Sequence, residues 1–458
     1  MRTARRCTRV PAVGLALLLG VLTTPALGQM EMGPPAPSIP PARLRAQAAE
    51  LERNGQWKAA FDIYCQLIAA DRQNGDYKEK LQLCLRHVLQ DFRLRDLSFQ
   101  ERVLPLPYGQ VLALYGEVIG KLQSQYVDRE KTLPTRLFQQ GLQEFDTALG
   151  DEGFRGKFLK DVPQSLVQEF RRRLRTAWTE RTVASAQEAQ TLVGEVAVAA
   201  RRDLHFPKEK LNAVVLEFLC GACNSLDEFT AYLTPSQLLA ELAAEPDAPT
   251  VVQTAVLKDG IAYTRITHFR DSTPQEFDAA LNMLKMTAGL HVLILDLRGN
   301  PGGSFVAAVQ IAERFLPQGV IVSTAGQTTE FNKVYTSAAG SAALSWRLYI
   351  LVDGETASAA EVLAGALRDH QRALLVGTPT YGKGTIQCLI QFATAQESDE
   401  HAKPRSRTGA LKMTLARFFS PSGQALAGGI MPHMLEPNKE HQLDAALEDA
   451  SRFVSMMP

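Results

Sequence analysis

The residues with most capacity for chemistry fall in three short segments, each following a run of aliphatic residues. After HVLILDL comes Arg298-Gly299-Asn300-Pro301-Gly302-Gly303. Glycines there let the backbone turn its N–H groups outward, which suits an oxyanion hole or an anion cradle, although Pro-Gly-Gly is also an ordinary turn. After LYILVD comes Gly354-Glu355-Thr356-Ala357-Ser358-Ala359-Ala360-Glu361, leading into the helical pattern EVLAGALRD. A serine at that position can attack a carbonyl while Ala359 gives its N–H to the forming oxyanion, or it can simply cap the helix. After ALLVG comes Thr380-Tyr381-Gly382-Lys383-Gly384-Thr385. A lysine between glycines in a turn is normally a solvated charge. To act as a base it must be buried beside Ser358, where desolvation lowers its pKa from the ordinary value of about 10.4.

Other catalytic patterns are absent from the sequence. There is no Ser-x-x-Lys and no Gly-x-Ser-x-Gly. His370 lies nearest Ser358, on the following helix, and reads as a helix-surface residue. No His, Asp or Glu group has metal-ligand spacing, so no metal and no cofactor are expected. Cys220 and Cys223 form a C-x-x-C inside the helical LNAVVLEFLCGACNSL with no second pair, and read as packed side chains.

The elements that must position these residues follow from the pattern of the chain. After Pro249 short aliphatic runs (VVQTAVL, GIAYTRI, HVLILDL, LYILVD, ALLVG) alternate with helical stretches such as TPQEFDAALNMLKM and SFVAAVQIAERFL. That alternation predicts an α/β core with an at least partly parallel sheet over 250–437, with sites at strand ends. A final helix is expected over 438–458. Residues 96–245 are helix-rich, broken at Pro105, Pro107, Gly150 and Pro163. Residues 43–95, with Ala60, Tyr64 and Leu67 at helical spacing after Gly55 and Trp57, resemble one tetratricopeptide-type hairpin. The prolines of 29–42 predict a stiff linker.

Lys plus Arg and Asp plus Glu both number 49, a balance that argues against nucleic acid or a membrane surface as partner. Arg2, Arg5, Arg6 and Arg9 precede the apolar run Val10 to Leu22, and Ala26-Leu27-Gly28 supplies small residues. This predicts a cleavable signal peptide over 1–28 and an exported protein, periplasmic or extracellular, with no transmembrane segment after cleavage. The five cysteines left after that cleavage are an odd number, so a disulfide scaffold is not expected.

Ser358 and Lys383 lie 25 residues apart. The intervening SAAEVLAGALRDHQRALLVGTPTYGKGTIQ resembles the signature of the C-terminal processing peptidases, or tail-specific proteases. GIAYTRITHF, DLRGNPGG, LKMTLARFFSPSGQALAGGIMPHMLEP and SLDEFTAYLTP are similar to other family segments in family order. The likeness runs from roughly residue 205 to the C-terminus, interrupted by AQESDEHAKPRSRTG, which reads as an exposed loop. The resemblance implies a catalytic core of the Clp protease/crotonase-like type preceded by an all-helical region, with protein or peptide substrates. It implies Ser358 as nucleophile, Lys383 as general base, Gln387 orienting the lysine, and an oxyanion hole from Gly302 or Gly303 together with Ala359. One departure is large. Only about twenty-five residues, Thr234 to Asp259, stand where the family carries a PDZ domain, too few for a domain. Selection of C-terminal tails is therefore put in doubt. The expected activity is hydrolysis of exported proteins through an acyl-enzyme. The alternative is an inactive protease-fold protein working through its N-terminal helices, where an adaptor could dock. The acyl-CoA chemistry of related folds would not need Ser358 and Lys383 together.

Overall fold

The computed structural model describes residues 40–71, 74–242, 250–258, 260–337, 344–392 and 408–456. The expected signal peptide, most of the linker and residues 395–407 of the expected exposed loop lie outside these. The first helix, Pro41–Arg53, begins inside the stretch expected to be linker. Pro41 sits at its first position, where a missing N–H costs nothing.

Three helices, Pro41–Arg53, Trp57–Ala70 and Gly75–Arg95, form the N-terminal unit, one more than the expected hairpin. Ala48, Ala60, Tyr64, Leu67 and Cys84 fill its own small core, and Trp57 stacks on His87 with ring centroids 3.7 Å apart. The third helix ties the unit to the rest of the chain. Arg93 meets Glu217 at 2.9 Å and Gln90 donates to Glu217 at 3.0 Å, with all three side chains buried. Glu217 lies on Asn212–Asn224, a helix buried on nearly every face at the centre of the helical region. Gly221 lets that helix cross Pro134–Gly150 closely, because a Cβ there would stand 2.6 Å from the Gln140 carbonyl oxygen. Cys220 and Cys223 are buried in this helix as free thiols that burial pushes up.

The stretch read as helical to residue 245 contains one strand, β1 (Ala231–Leu233), ahead of the helix Pro235–Leu242. It joins a sheet that the alternation pattern did not foretell. β5 (Gly319–Gly326), β6 (Lys333–Ser337), β9 (Thr385–Gln391) and β10 (Ala410–Phe419) pair with it through antiparallel ladders, in the order β1-β10-β5-β6 with β9 also on β10. Leu411, Met413, Leu415 and Cys388 of this sheet pack into the helical core.

The other sheet has the order β11-β8-β7-β4-β3-β2, built from β2 (Val252–Lys258), β3 (Ile261–Ile266), β4 (Val292–Asp296), β7 (Arg347–Val352), β8 (Ala373–Gly377) and β11 (Met434–Leu435). All its pairings are parallel except β2 with β3. Every residue of β4 is buried because both faces are covered. Leu293, Leu295, Leu348 and Ile350 face the helices Thr273–Lys285, Phe305–Glu313 and Ala359–Asp369. Val292, Ile294, Tyr349 and Leu351 face the last helix, Gln442–Ser455. Among the described residues no helix is long and apolar enough to cross a membrane.

Candidate active site

β8, β7 and β4 are neighbours in the parallel sheet, so the loops leaving their C-terminal ends meet in space. These are the three segments that carry Lys383, Ser358 and the glycine turn. Backbone hydrogen bonds lace them together: Ala357 N–H donates to the Asn300 carbonyl at 2.9 Å and Tyr381 N–H to the Thr356 carbonyl at 2.9 Å.

Ser358 occupies the turn from β7 into the helix Ala359–Asp369 with φ 56° and ψ −117°. A side chain other than glycine rarely adopts such a conformation, which costs on the order of 1–3 kcal/mol and persists only where its surroundings enforce it. The same strand-turn-helix strain presents the serine in α/β hydrolases. The enforcing group here is Glu361. Its carboxylate, fully buried, accepts from Ser358 N–H at 2.8 Å and Lys383 N–H at 2.9 Å on one oxygen. The other oxygen accepts from Gly382 N–H at 2.7 Å and the Thr380 hydroxyl at 2.5 Å. Sharing one acceptor holds the Ser358 and Lys383 nitrogens within about 6 Å of each other. Burial pushes the Glu361 carboxyl up, against the downward pull of these bonds. The Thr380 hydroxyl also accepts from Ile430 N–H at 2.7 Å, tying in the C-terminal segment.

Lys383 is buried, and its ammonium lies 5.0 Å from the centre of the Phe229 ring. Desolvation, then the nearby Lys412, lowers its pKa to about 8, while Glu241, Glu228 and Glu361 act in the other direction. Lys412 is itself held by Glu241 at 2.6 Å, both side chains buried. Gln387 sits on β9, where its amide donates to the Thr385 hydroxyl at 2.8 Å and the Thr414 hydroxyl at 3.4 Å. Its hydrogen bonds among the described residues therefore run to these threonines rather than to Lys383.

The glycine turn is clamped under Ser358. A Cβ on Gly302 would stand 2.8 Å from the Ser358 Cβ and 2.9 Å from the Ala357 carbonyl oxygen. Asn300, also fully buried, donates to the Ile266 carbonyl at 2.8 Å and accepts from Gly302 N–H at 2.9 Å. Of the expected oxyanion donors, Gly302 is thus already engaged. The N–H groups of Gly303 and Ala359 have no acceptor among the described residues. His370 is half-buried rather than on the helix surface, with Nε2 2.7 Å from the Val320 carbonyl oxygen. Among the described residues no group of His, Cys, Asp and Glu could hold a metal ion.

Glu361, Asn300, Thr380 and Phe229 belong to this arrangement and were not singled out from sequence. The Ser-x-x-Glu spacing of Ser358 and Glu361 is the capping-box pattern and was the one available signal.

Residues 260–435 match peptidase family S41. The carboxy-terminal-processing protease of Bartonella bacilliformis is 34% identical over 179 residues, covering 38% of this chain and 38% of that protein. The carboxyl-terminal-processing protease of Synechocystis sp. is 34% identical over 247 residues, 54% of this chain and 51% of that one. Among solved structures, a photosystem II D1 C-terminal processing protease aligns with a TM-score of 0.42 at 19% identity, over 72% of this chain and 93% of that chain. The matched regions span about half or less of the length of these two curated relatives.

Proposed function

Because residues 260–435 belong to peptidase family S41, we propose that the chain is an exported serine endopeptidase working through a Ser358/Lys383 dyad. The observation that supports this most is the buried Glu361 carboxylate, which holds the strained Ser358 and the buried Lys383 by their backbones on one oxygen. A pKa of about 8 for Lys383 leaves about a tenth of it neutral at pH 7, against less than about one in a thousand for an ordinary lysine. The neutral amine takes the proton of Ser358 Oγ as that oxygen bonds to the scissile carbonyl carbon. The carbonyl electrons move onto its oxygen, which the N–H groups of Gly303 and Ala359 receive. The Lys383 ammonium then protonates the departing amine as the C–N bond breaks. Water repeats the cycle on the acyl-enzyme.

The chain passes from Pro235–Leu242 to β2 through residues 243–251, too short a stretch for a PDZ domain. We therefore assign substrate choice to the cleft around the dyad and to the N-terminal helices, rather than to a separate tail-binding module. Exported proteins are the substrates in this reading. The test is peptide hydrolysis by Ser358→Ala and Lys383→Ala, each expected to lose activity with an unchanged fold. Cutting near the wild-type rate by either variant ends the assignment.

A further inference from the structure

A narrow cleft lies between the N-terminal helix Gly75–Arg95 and residues 227–233, the segment that leads into β1 together with β1 itself. Its apolar wall is Leu85 and Leu89 from the helix and Phe229, Ala231 and Leu233 from the segment opposite. Leu85 and Leu89 stand four residues apart on one helix face, which continues to Arg93, so the Arg93–Glu217 pair fixes how that face is presented. Phe229 belongs to both places, since it lines the cleft and its ring also lies beneath the Lys383 ammonium.

We propose that this cleft is a substrate subsite taking an aliphatic side chain of leucine or methionine size, one wall of which is supplied by the N-terminal unit. The inference rests on the peptidase reading of Ser358 and Lys383. The occupant follows from which lining groups are still available. Lys412 is paired with Glu241 at 2.6 Å, and Arg86 reaches Gln140 at 3.2 Å and faces Glu144 at 3.9 Å. Asp227 accepts from the Tyr126 hydroxyl at 3.0 Å and from the N–H groups of Phe229 and Thr230. Glu228 is exposed and stands in the fields of Lys383 and Lys78. Lys412, Arg86 and Asp227 would have to give up these partners to bind a charged occupant, and Glu228 stands in solvent, whereas an apolar occupant needs only the leucine and phenylalanine surface and the release of water from it. Adjacency to Lys383 through one shared ring places the occupant in the substrate and close to the reacting bond. The N-terminal helices then act on short peptides as well as on whole proteins.

The experiment uses the full chain and matched quenched-fluorescence peptides carrying Ala, Leu, Met, Lys or Glu in turn at each position near the cut. Wild type, Leu89→Asp and Leu89→Trp are compared, with folding checked by thermal melting. Wild type is expected to favour Leu or Met over Ala at one position by about tenfold or more in kcat/KM. Leu89→Asp should erase that preference, and Leu89→Trp, which fills the cleft, should turn it toward Ala. A wild type with no position favouring Leu or Met, or a preference untouched by both variants, overturns the subsite. Should wild type cut no peptide, the dyad reading falls by itself, and the affinity of the same peptides decides the subsite. Tighter binding of the Leu peptide that Leu89→Asp removes would uphold it, and equal affinity would overturn it.

Discussion

Ser358 and Lys383 donate their backbone N–H groups to the same carboxylate oxygen of Glu361, at 2.8 and 2.9 Å. One buried side chain thereby fixes both a strained turn and a loop that follow different strands. Removing it leaves buried donors without an acceptor, and removing only its charge weakens all the bonds it accepts.

Glu361→Ala is therefore expected to destabilise the fold by about 3–5 kcal/mol, seen as a fall in melting temperature. Glu361→Gln keeps the volume and should still fold. Its amide nitrogen must face a donor, so Ser358 or the Lys383 loop loses its anchor, and kcat should drop by about 100-fold. Full activity in a folded Glu361→Gln variant would show that the clamp is only structural.

The pH dependence follows from the position of Lys383. Its ammonium form cannot accept a proton, so activity should rise as pH climbs and level off above about 8, where burial and Lys412 have placed its pKa. Lys412→Met removes a cation and leaves Glu241 unpaired, and both changes favour the ammonium. The rising limb of the rate profile should move to higher pH. A limb that stays in place in Lys412→Met would separate that titration from Lys383.

Gly302→Ala tests the packing of the glycine turn. The new methyl group would stand 2.8 Å from the Ser358 Cβ, at a φ of +102° that a side chain rarely adopts. Loss of activity by about 100-fold or more is expected, with destabilisation of about 2–4 kcal/mol by melting. A stable and active Gly302→Ala would mean that the turn relaxes away from Ser358.

The parallel sheet was legible in the sequence because each of its buried strands is a short aliphatic run followed by a turn, and β3, β4, β7 and β8 lie where those runs stand. The second sheet was not. β5 and β10 are neighbours only through pairing over about a hundred residues, as in Phe419 with Ser323, and no local periodicity encodes such a partner. β1 is three residues long and pairs with Lys412 to Ala410 across a still longer stretch of chain, as in Ala231 with Lys412. In the site, Ser358, Lys383 and the glycine turn stood out by type and spacing. Phe229 could not, because its value comes from where the loop before β1 carries it, against a lysine more than a hundred residues later. Asn300 and Thr380 were hidden for a related reason. Each lay inside a segment read for its glycines or its lysine, while their own buried hydrogen bonds exist only in the folded chain.

The most direct measurement of the central claim is labelling of the full chain with a fluorophosphonate, followed by mass spectrometry of its peptides. Fluorophosphonates react with serine only when its hydroxyl is activated by a neighbouring base. The account predicts one modified serine, Ser358, labelled faster at pH 9 than at pH 7 and lost in Lys383→Ala. Absence of label on Ser358, or labelling that Lys383→Ala leaves undiminished, would contradict it.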